Sequence, residues 1–276
     1  MNNNISFINP NEVRRTVLQM LHRAGASHLG SNMSAIEMLI AMYESVDVER
    51  IRCGADDRDR IVISKGHCAA ATYAVMGHFG ILPMVELQNY HMDGSFLAGH
   101  VSHAVPSVEH STGALGHGIN VAVGCAIGLR AQGFPERLVL TLVGDGEIQE
   151  GSVWEAVMLS SHLKLDNLII LVDNNSISSI TATERVIDMR PLTSRFKGFG
   201  CGVLEVDGHD VLAISSAVSE LHGKGRPGVI ICNTIKGRDV PFAEGDPVWH
   251  YRSLSDELYA EALNHLNTKD VSEKVL

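Results

Sequence analysis

Five short apolar runs constrain what this chain can fold into more than any other feature. They lie near Arg60–Ser64, Leu138–Val143, Leu168–Val172, Gly202–Val206 and Val229–Asn233. Each is a continuous run, not an alternation of apolar and polar residues. That pattern suits central parallel strands buried on both faces. Between the runs lie longer segments with helical spacing, such as "GSVWEAVMLSSHL" and "VLAISSAVSELHG". The alternation predicts an α/β fold: three layers, α/β/α, around a mainly parallel sheet. A mixed sheet with another strand order has the same periodicity. Two helices are expected before the first run. In "NPNEVRRTVLQMLHRAG", Asn9 is placed to cap, Pro10 suits the first turn, and Val13, Val17, Met20 and Leu21 share a face. In "SAIEMLIAMYESV", Ser34 reads as a cap and Glu37 as its capping-box partner. "LSDELYAEALNHL" reads as a last helix, followed by a polar tail from about residue 267. No repeat or linker stands out, so one domain over residues 1–276 is expected.

Composition narrows the function classes. The formal net charge is -10, whereas a nucleic-acid surface needs clustered Lys and Arg. A small phosphorylated ligand is still compatible, because backbone amides and a bound cation can hold one. The five cysteines are odd in number and show no CxxC spacing, which suggests reduced thiols in a cytoplasmic protein. "MNNNISFINPNE" lacks the basic and apolar regions of a signal peptide. The most apolar stretch, "LIILVD", is too short to span a bilayer.

The chemistry gathers at two strand ends. Gly144-Asp145-Gly146 follows the second run, and Asn174-Asn175 follows the third, with one helix between them. In open α/β sheets, ligands bind beyond the carboxyl ends of the strands. Gly144 and Gly146 let the backbone turn sharply and approach a ligand. Asp145 and Asn175, with a backbone carbonyl, offer hard oxygen donors of the kind Mg²⁺ takes together with phosphate oxygens.

These residues resemble the thiamine diphosphate fingerprint, and their surroundings resemble the transketolase family. "GDGEIQEGSVWEA", "SKGHCAA", "ASHLGSNMSAIEML", "STGALGHGINVAVG", "VDGHD" and "NTIKGRDVPFAEGDPVWH" are similar to family segments, in the family's order, over roughly Val13 to His250. The resemblance implies thiamine diphosphate and Mg²⁺ (or Ca²⁺) as cofactors. It implies Asp145, the Asn175 side chain and the Ile177 carbonyl as metal ligands. His67, Gly144 and Gly146 would meet the diphosphate, Gly113 and Leu115 the rings, and His250 both diphosphate and substrate. His28 matches a residue facing sugar hydroxyls. His100 matches one near the donor's first carbons; its spacing to Gly113 is one residue short, so His103 is an alternative. Glu150 matches a glutamate at the family's subunit interface. His22, His91, His110 and His162 fall in no motif and read as structural.

There are departures. The family's "GHPG" is "SHLG" here, His117 replaces a common Gln, and "PVWHYR" differs around His250. The glutamate that activates the aminopyrimidine belongs to another domain in this family, and none of Glu147, Glu150 and Glu155 fits that role. The resemblance therefore implies the N-terminal subunit of a split transketolase. Such a chain would transfer two-carbon ketol groups between sugar phosphates, paired with a separate C-terminal subunit carrying the pyrimidine-binding domain in an α2β2 assembly. Two other readings are a deoxyxylulose-phosphate-synthase-like or oxo-acid dehydrogenase component, and a non-catalytic scaffold. The histidine set favours a sugar donor over the first. The intact metal pair disfavours the second.

Overall fold

The computed structural model describes residues 8–273. Most of the N-terminal stretch read for a signal peptide, and the last residues of the expected tail, lie outside them. In chain order, the helices α1 (Pro10–Ala24), α2 (Leu29–Glu44) and α3 (Val48–Arg52) precede strand β1 (Arg60–Ile63). Then come α4 (Ala69–His78), α5 (Gly118–Ala131), β2 (Val139–Gly144), α6 (Gly151–His162) and β3 (Leu168–Asn174). Two short helices, α7 (Thr183–Val186) and α8 (Leu192–Gly198), lead to β4 (Gly202–Asp207). The chain closes with α9 (Val211–Leu221), β5 (Gly228–Asn233) and α10 (Asp256–Glu273).

The five expected strands form one sheet in the order β1-β2-β3-β5-β4. Every neighbouring pair is parallel. Successive side chains point to opposite faces, so each strand feeds two cores. Ile61, Leu140, Leu142, Ile169, Leu171 and Ile230 pack against α1, α2, α4, α9 and α10. Val62, Val139, Val143, Ile170, Val172, Val229 and Ile231 pack against α5, α6 and α8. The expected three layers are present.

The connections explain where a cleft opens. After β1 the chain passes to α4, in the first core. After β2 it passes to α6, in the second. Adjacent strands whose connections leave toward opposite faces create a crevice at their carboxyl ends.

Helix α1 begins as expected: the Asn9 side chain accepts from the Asn11 N–H, Pro10 is in the first turn, and Val13, Val17, Met20 and Leu21 are buried. The capping box at Ser34 and Glu37 does not form. Helix α2 starts at Leu29, with His28 at the cap position, so Ser34 lies inside it. Ser34 Oγ instead donates to Asp173 Oδ2 at 2.7 Å, and Glu37 pairs with Arg14 at 2.5 Å. Tertiary partners have taken over side chains that local pattern assigned to a helix end. The polar tail from residue 267 also differs, because α10 runs through to Glu273. Asn267 accepts from Arg15 at 3.4 Å, and Asp270 from Asn11 at 2.7 Å, so polar residues dock this end of the helix on α1.

Candidate active site

A cavity of about 360 Å³ opens at the carboxyl ends of the sheet. Loops after β1, β2, β3 and β5 contribute to it, and so does the start of α2.

The β1 loop brings Lys65 and His67. It turns at Gly66, where a side chain would meet Thr112: an added Cβ would lie 2.6 Å from its Oγ1 and 2.8 Å from its backbone. That close approach requires glycine. It sews the β1 end to the following long loop, where Val101 N donates to Gly66 O and Thr112 N to Val101 O. Gly113 and Leu115 of that loop line the cavity.

The β2 loop supplies Gly144, Asp145 and Gly146. Asp145 is 6% exposed. Its carboxylate accepts from the N–H groups of Gly146 and Ser176, so the β2 turn is tied to the β3 turn. Ser176 has a left-handed φ of 63°, a sparsely used conformation for a non-glycine. Asn175 Oδ1 accepts from Ile177 N at 3.1 Å. Asp145, Asn175 and Ile177 all line the cavity.

Beneath this floor lies a buried ion pair. Lys65 Nζ meets Asp173 Oδ2, with side-chain exposures of 1% and 0%. Ser34 and Thr234 hydroxyls also donate to Asp173, and Lys65 Nζ donates to Ser31 O. Burial works against both charges, but their mutual attraction outweighs it: Lys65 is held above its usual pKa and Asp173 below its own. Asp145 has no such ion-pair partner among the described residues. Burial, with the Asp173 charge nearby, pushes its pKa up to about 7. A carboxylate strained in this way is relieved by a cation.

Lys236 reaches in from the β5 loop and donates to Ile177 O at 3.0 Å and Ser178 O at 2.7 Å. Burial, then the Lys65 charge, lowers its pKa to about 8. Its loop is anchored by His209. Ile235 N donates to His209 Nε2 at 2.8 Å, so the ring proton sits on Nδ1 and faces Glu37 Oε2 at 3.2 Å.

Four imidazoles share the cavity. The His28 ring centroid lies 4.8 Å from that of His250, 5.4 Å from His100 and 5.7 Å from His67. His28 has a left-handed φ of 69°, and its N–H donates to His250 O at 3.1 Å. Strain of this kind concentrates at functional positions. All four rings are held neutral. Burial lowers His28 to about 4, helped by His100 and Lys236. Burial lowers His250 to about 3, helped by Lys236 and His28. Burial and Lys65 hold His67 well below its usual value, and burial and His91 lower His100.

The expected site residues divide in two. His28, His67, His100, Gly113, Leu115, Gly144, Asp145, Gly146, Asn175, Ile177 and His250 line one cavity. His103 and Glu150 do not. His103 is exposed and bonds Ser111 Oγ through Nδ1 at 2.5 Å. The fold thus places His100, and not His103, beside His28. Glu150 is exposed at the start of α6. His117 is exposed and bonds Leu115 O. Lys65, Glu147 and Lys236 escaped the sequence reading. The signal for the two lysines was a single Lys just past a strand end, in "SKGH" and "TIKG".

Comparison with known proteins names this arrangement. The family model described as "Transketolase, thiamine diphosphate binding domain" matches residues 8–270. The chain belongs to the transketolase family. One of the subunits of the apulose-4-phosphate transketolase of Actinobacillus succinogenes is 36% identical over 92% of this chain and 92% of its own length. The 6-deoxy-6-sulfo-D-fructose transketolase subunit SqwG of a Clostridium species is 33% identical over 93% of this chain and 94% of its own. The crystal structure of Campylobacter jejuni transketolase superposes with a TM-score of 0.85 at 28% identity. It covers 97% of this chain but only 43% of that one. The chain therefore spans nearly all of the transketolase subunits it matches and less than half of the longer transketolase. Its fold is the family's thiamine diphosphate-binding domain.

The residues present fit the cofactor. Asp145, Asn175 and Ile177 line one cavity, where their oxygens would offer a hard cation an all-oxygen donor set. Among the described residues no cluster of three or more His, Cys, Asp or Glu side chains is arranged to hold a metal.

Proposed function

We propose that this chain is the thiamine diphosphate-binding subunit of a two-subunit transketolase, moving a two-carbon ketol group from a ketose to an aldose, with sugar phosphates as substrates. The observation that carries the reading is the meeting of four neutral imidazoles with the Asp145–Asn175–Ile177 oxygens in one cavity. Asp145, Asn175 and the Ile177 carbonyl would hold Mg²⁺ (or Ca²⁺) against the diphosphate, with His67, Gly144, Gly146 and Lys236 around it. Gly113 and Leu115 would pack beside the rings. When bound, the cofactor supplies the nucleophilic carbon and the electron sink.

The chain's own residues handle protons and placement. Neutral imidazoles accept protons from sugar hydroxyls and return them to alkoxides. His28, His100 and His250 are placed for that work. Burial, with positive charge nearby, keeps each from retaining a proton. A dianionic ligand beside Lys236 and His250 would raise their proton affinities by the same rule.

A partner carrying the pyrimidine-binding domain completes the reading. Apolar side chains line the cavity and remain exposed: Leu115, Ile180, Val186 and Tyr251. That is a surface suited to being covered. Coverage of 92% and 94% of the two relatives that are themselves subunits supports a split enzyme, assembled as α2β2. Among the described residues no helix is long and apolar enough to cross a membrane. The five unpaired cysteines support a cytoplasmic location.

Two measurements test the reading. Calorimetric titration with thiamine diphosphate should show Mg²⁺-dependent binding that Asp145→Ala abolishes in the assembled complex. Unchanged affinity in that variant removes the metal assignment. The purified chain should transfer ketol groups only when a polypeptide with the pyrimidine domain is added. Robust turnover by the chain alone sinks the two-subunit reading.

A further inference from the structure

Tyr251 follows His250 at the end of a short 3-10 turn (Pro247–His250) and lines the same cavity. Its ring stands edge-on to His250, with centroids 4.9 Å apart. His250 in turn lies 4.8 Å from His28 and 5.4 Å from His67. The rings thus form a row from the inner histidines outward, and Tyr251 is its outermost member, 63% exposed. Its backbone is fixed, because its N–H donates to Val248 O at 3.1 Å. Among the described residues its phenol hydroxyl has no hydrogen-bond partner. A tyrosine in a binding cavity offers an apolar face and a hydroxyl that seeks a partner. Here both are presented on the exposed side of the cavity that holds the histidines.

We propose that Tyr251 is a specificity-determining residue for the donor, engaging the ketose beyond C3 through its hydroxyl and ring. This rests on the transketolase reading above. The inner imidazoles serve the carbons that every donor shares, whether long or short. The outermost ring meets only those atoms that distinguish a pentulose or hexulose phosphate from a shorter donor. The tyrosine therefore favours extended polyhydroxylated ketoses with a free hydroxyl at C4. A hydroxyl left without its partner in a partly enclosed site weakens binding of the matching substrate and leaves a substrate lacking that group indifferent.

The test uses the assembled two-subunit enzyme at saturating partner concentration. Donor kcat/KM is measured for a pentulose phosphate and for hydroxypyruvate, which delivers the same two-carbon unit with loss of CO₂ and has no carbon beyond C3. Tyr251→Gly should lower the ratio of the two values by about tenfold. Tyr251→Phe, which keeps the ring and the fold, should lower it by about threefold through loss of the hydroxyl alone. An unchanged ratio in both variants overturns the assignment, including the case in which Tyr251→Gly weakens only the assembly of the two chains, as a pure partner contact would. Absence of ketol transfer from either donor by the unsubstituted enzyme would instead overturn the transketolase reading, and this assignment with it.

Discussion

Glu147→Gln is a one-atom change with a calculable consequence. Glu147 is 1% exposed, on the turn after β2. One carboxylate oxygen accepts from the Ser64 hydroxyl and from Gly116 N at 2.9 Å; the other accepts from Gly144 N at 3.1 Å. The three donors come from the β1 end, the Gly113–Gly116 turn and the β2 end, which together floor the cavity. Ser64 Oγ already accepts from Ile119 N at 3.0 Å, so its proton is committed to Glu147. In glutamine one oxygen becomes an NH₂ group. Turned toward Gly144, it sets donor against donor; turned the other way, it opposes two donors. The favoured orientation therefore orphans one buried N–H, at a cost of about 1–3 kcal/mol. Burial also raises the Glu147 pKa, so losing the charge returns part of that cost, and the lower half of the range is expected. For a chain of this size that corresponds to a fall in Tm of roughly 2–6 °C. The displaced Gly144 and Gly116 turns should also weaken thiamine diphosphate binding in the assembled complex, by about tenfold, or ~1.4 kcal/mol. Differential scanning calorimetry and cofactor titration read the two effects. A Tm within about 1 °C of the parent together with unchanged affinity would refute the argument, because a glutamine that costs nothing means Glu147 is already protonated.

Two further outcomes are expected. Gly66→Ala forces a Cβ to within 2.8 Å of the Thr112 backbone. Melting should show a loss of about 1–3 kcal/mol, and cofactor affinity should fall as His67 moves; a neutral result would mean that the loop yields freely. The cofactor-free chain should lose stability on acidification from about pH 7 to about pH 5. His28 and His250 titrate near 4 and 3 in the fold but near 6.5 when unfolded, so the unfolded chain takes up protons first. His67 and His100 act in the same sense. Asp145 and Glu147 are shifted upward and act oppositely, but are fewer. A Tm that is flat or rises as pH falls across this window would contradict the assignment.

The sheet was legible because its strands are buried on both faces, so each reads as an unbroken apolar run. Asp145 and Asn175 were legible because the fold class fixes where strand ends lead. Other parts were not. Helix α2 is buried almost throughout, so it has no apolar stripe to mark its face, and its start is a left-handed histidine with no cap signature. The choice between His100 and His103 turned on the path of a long loop, which spacing does not encode. The end of α10 is held by Arg15 and Asn11, more than two hundred residues away in sequence. Lys65, Glu147 and Asp173 look like ordinary polar residues at turns, and only their burial shows otherwise.

The Lys65–Asp173 pair beneath the cavity floor also bears on how such a chain can diverge. Replacing one partner strands the other charge in a fully buried site, at a cost of about 3–5 kcal/mol, whereas replacing both with apolar groups of similar volume can be nearly neutral. The two positions are thus separated from any alternative by a valley that single substitutions must cross. A substitution at the rim, at Tyr251 for example, strands no buried charge and can try out a new sugar in a single step. The floor is inherited as a pair or exchanged as a pair. Novelty in such a protein should therefore accumulate at the mouth of the cavity and fade toward its base.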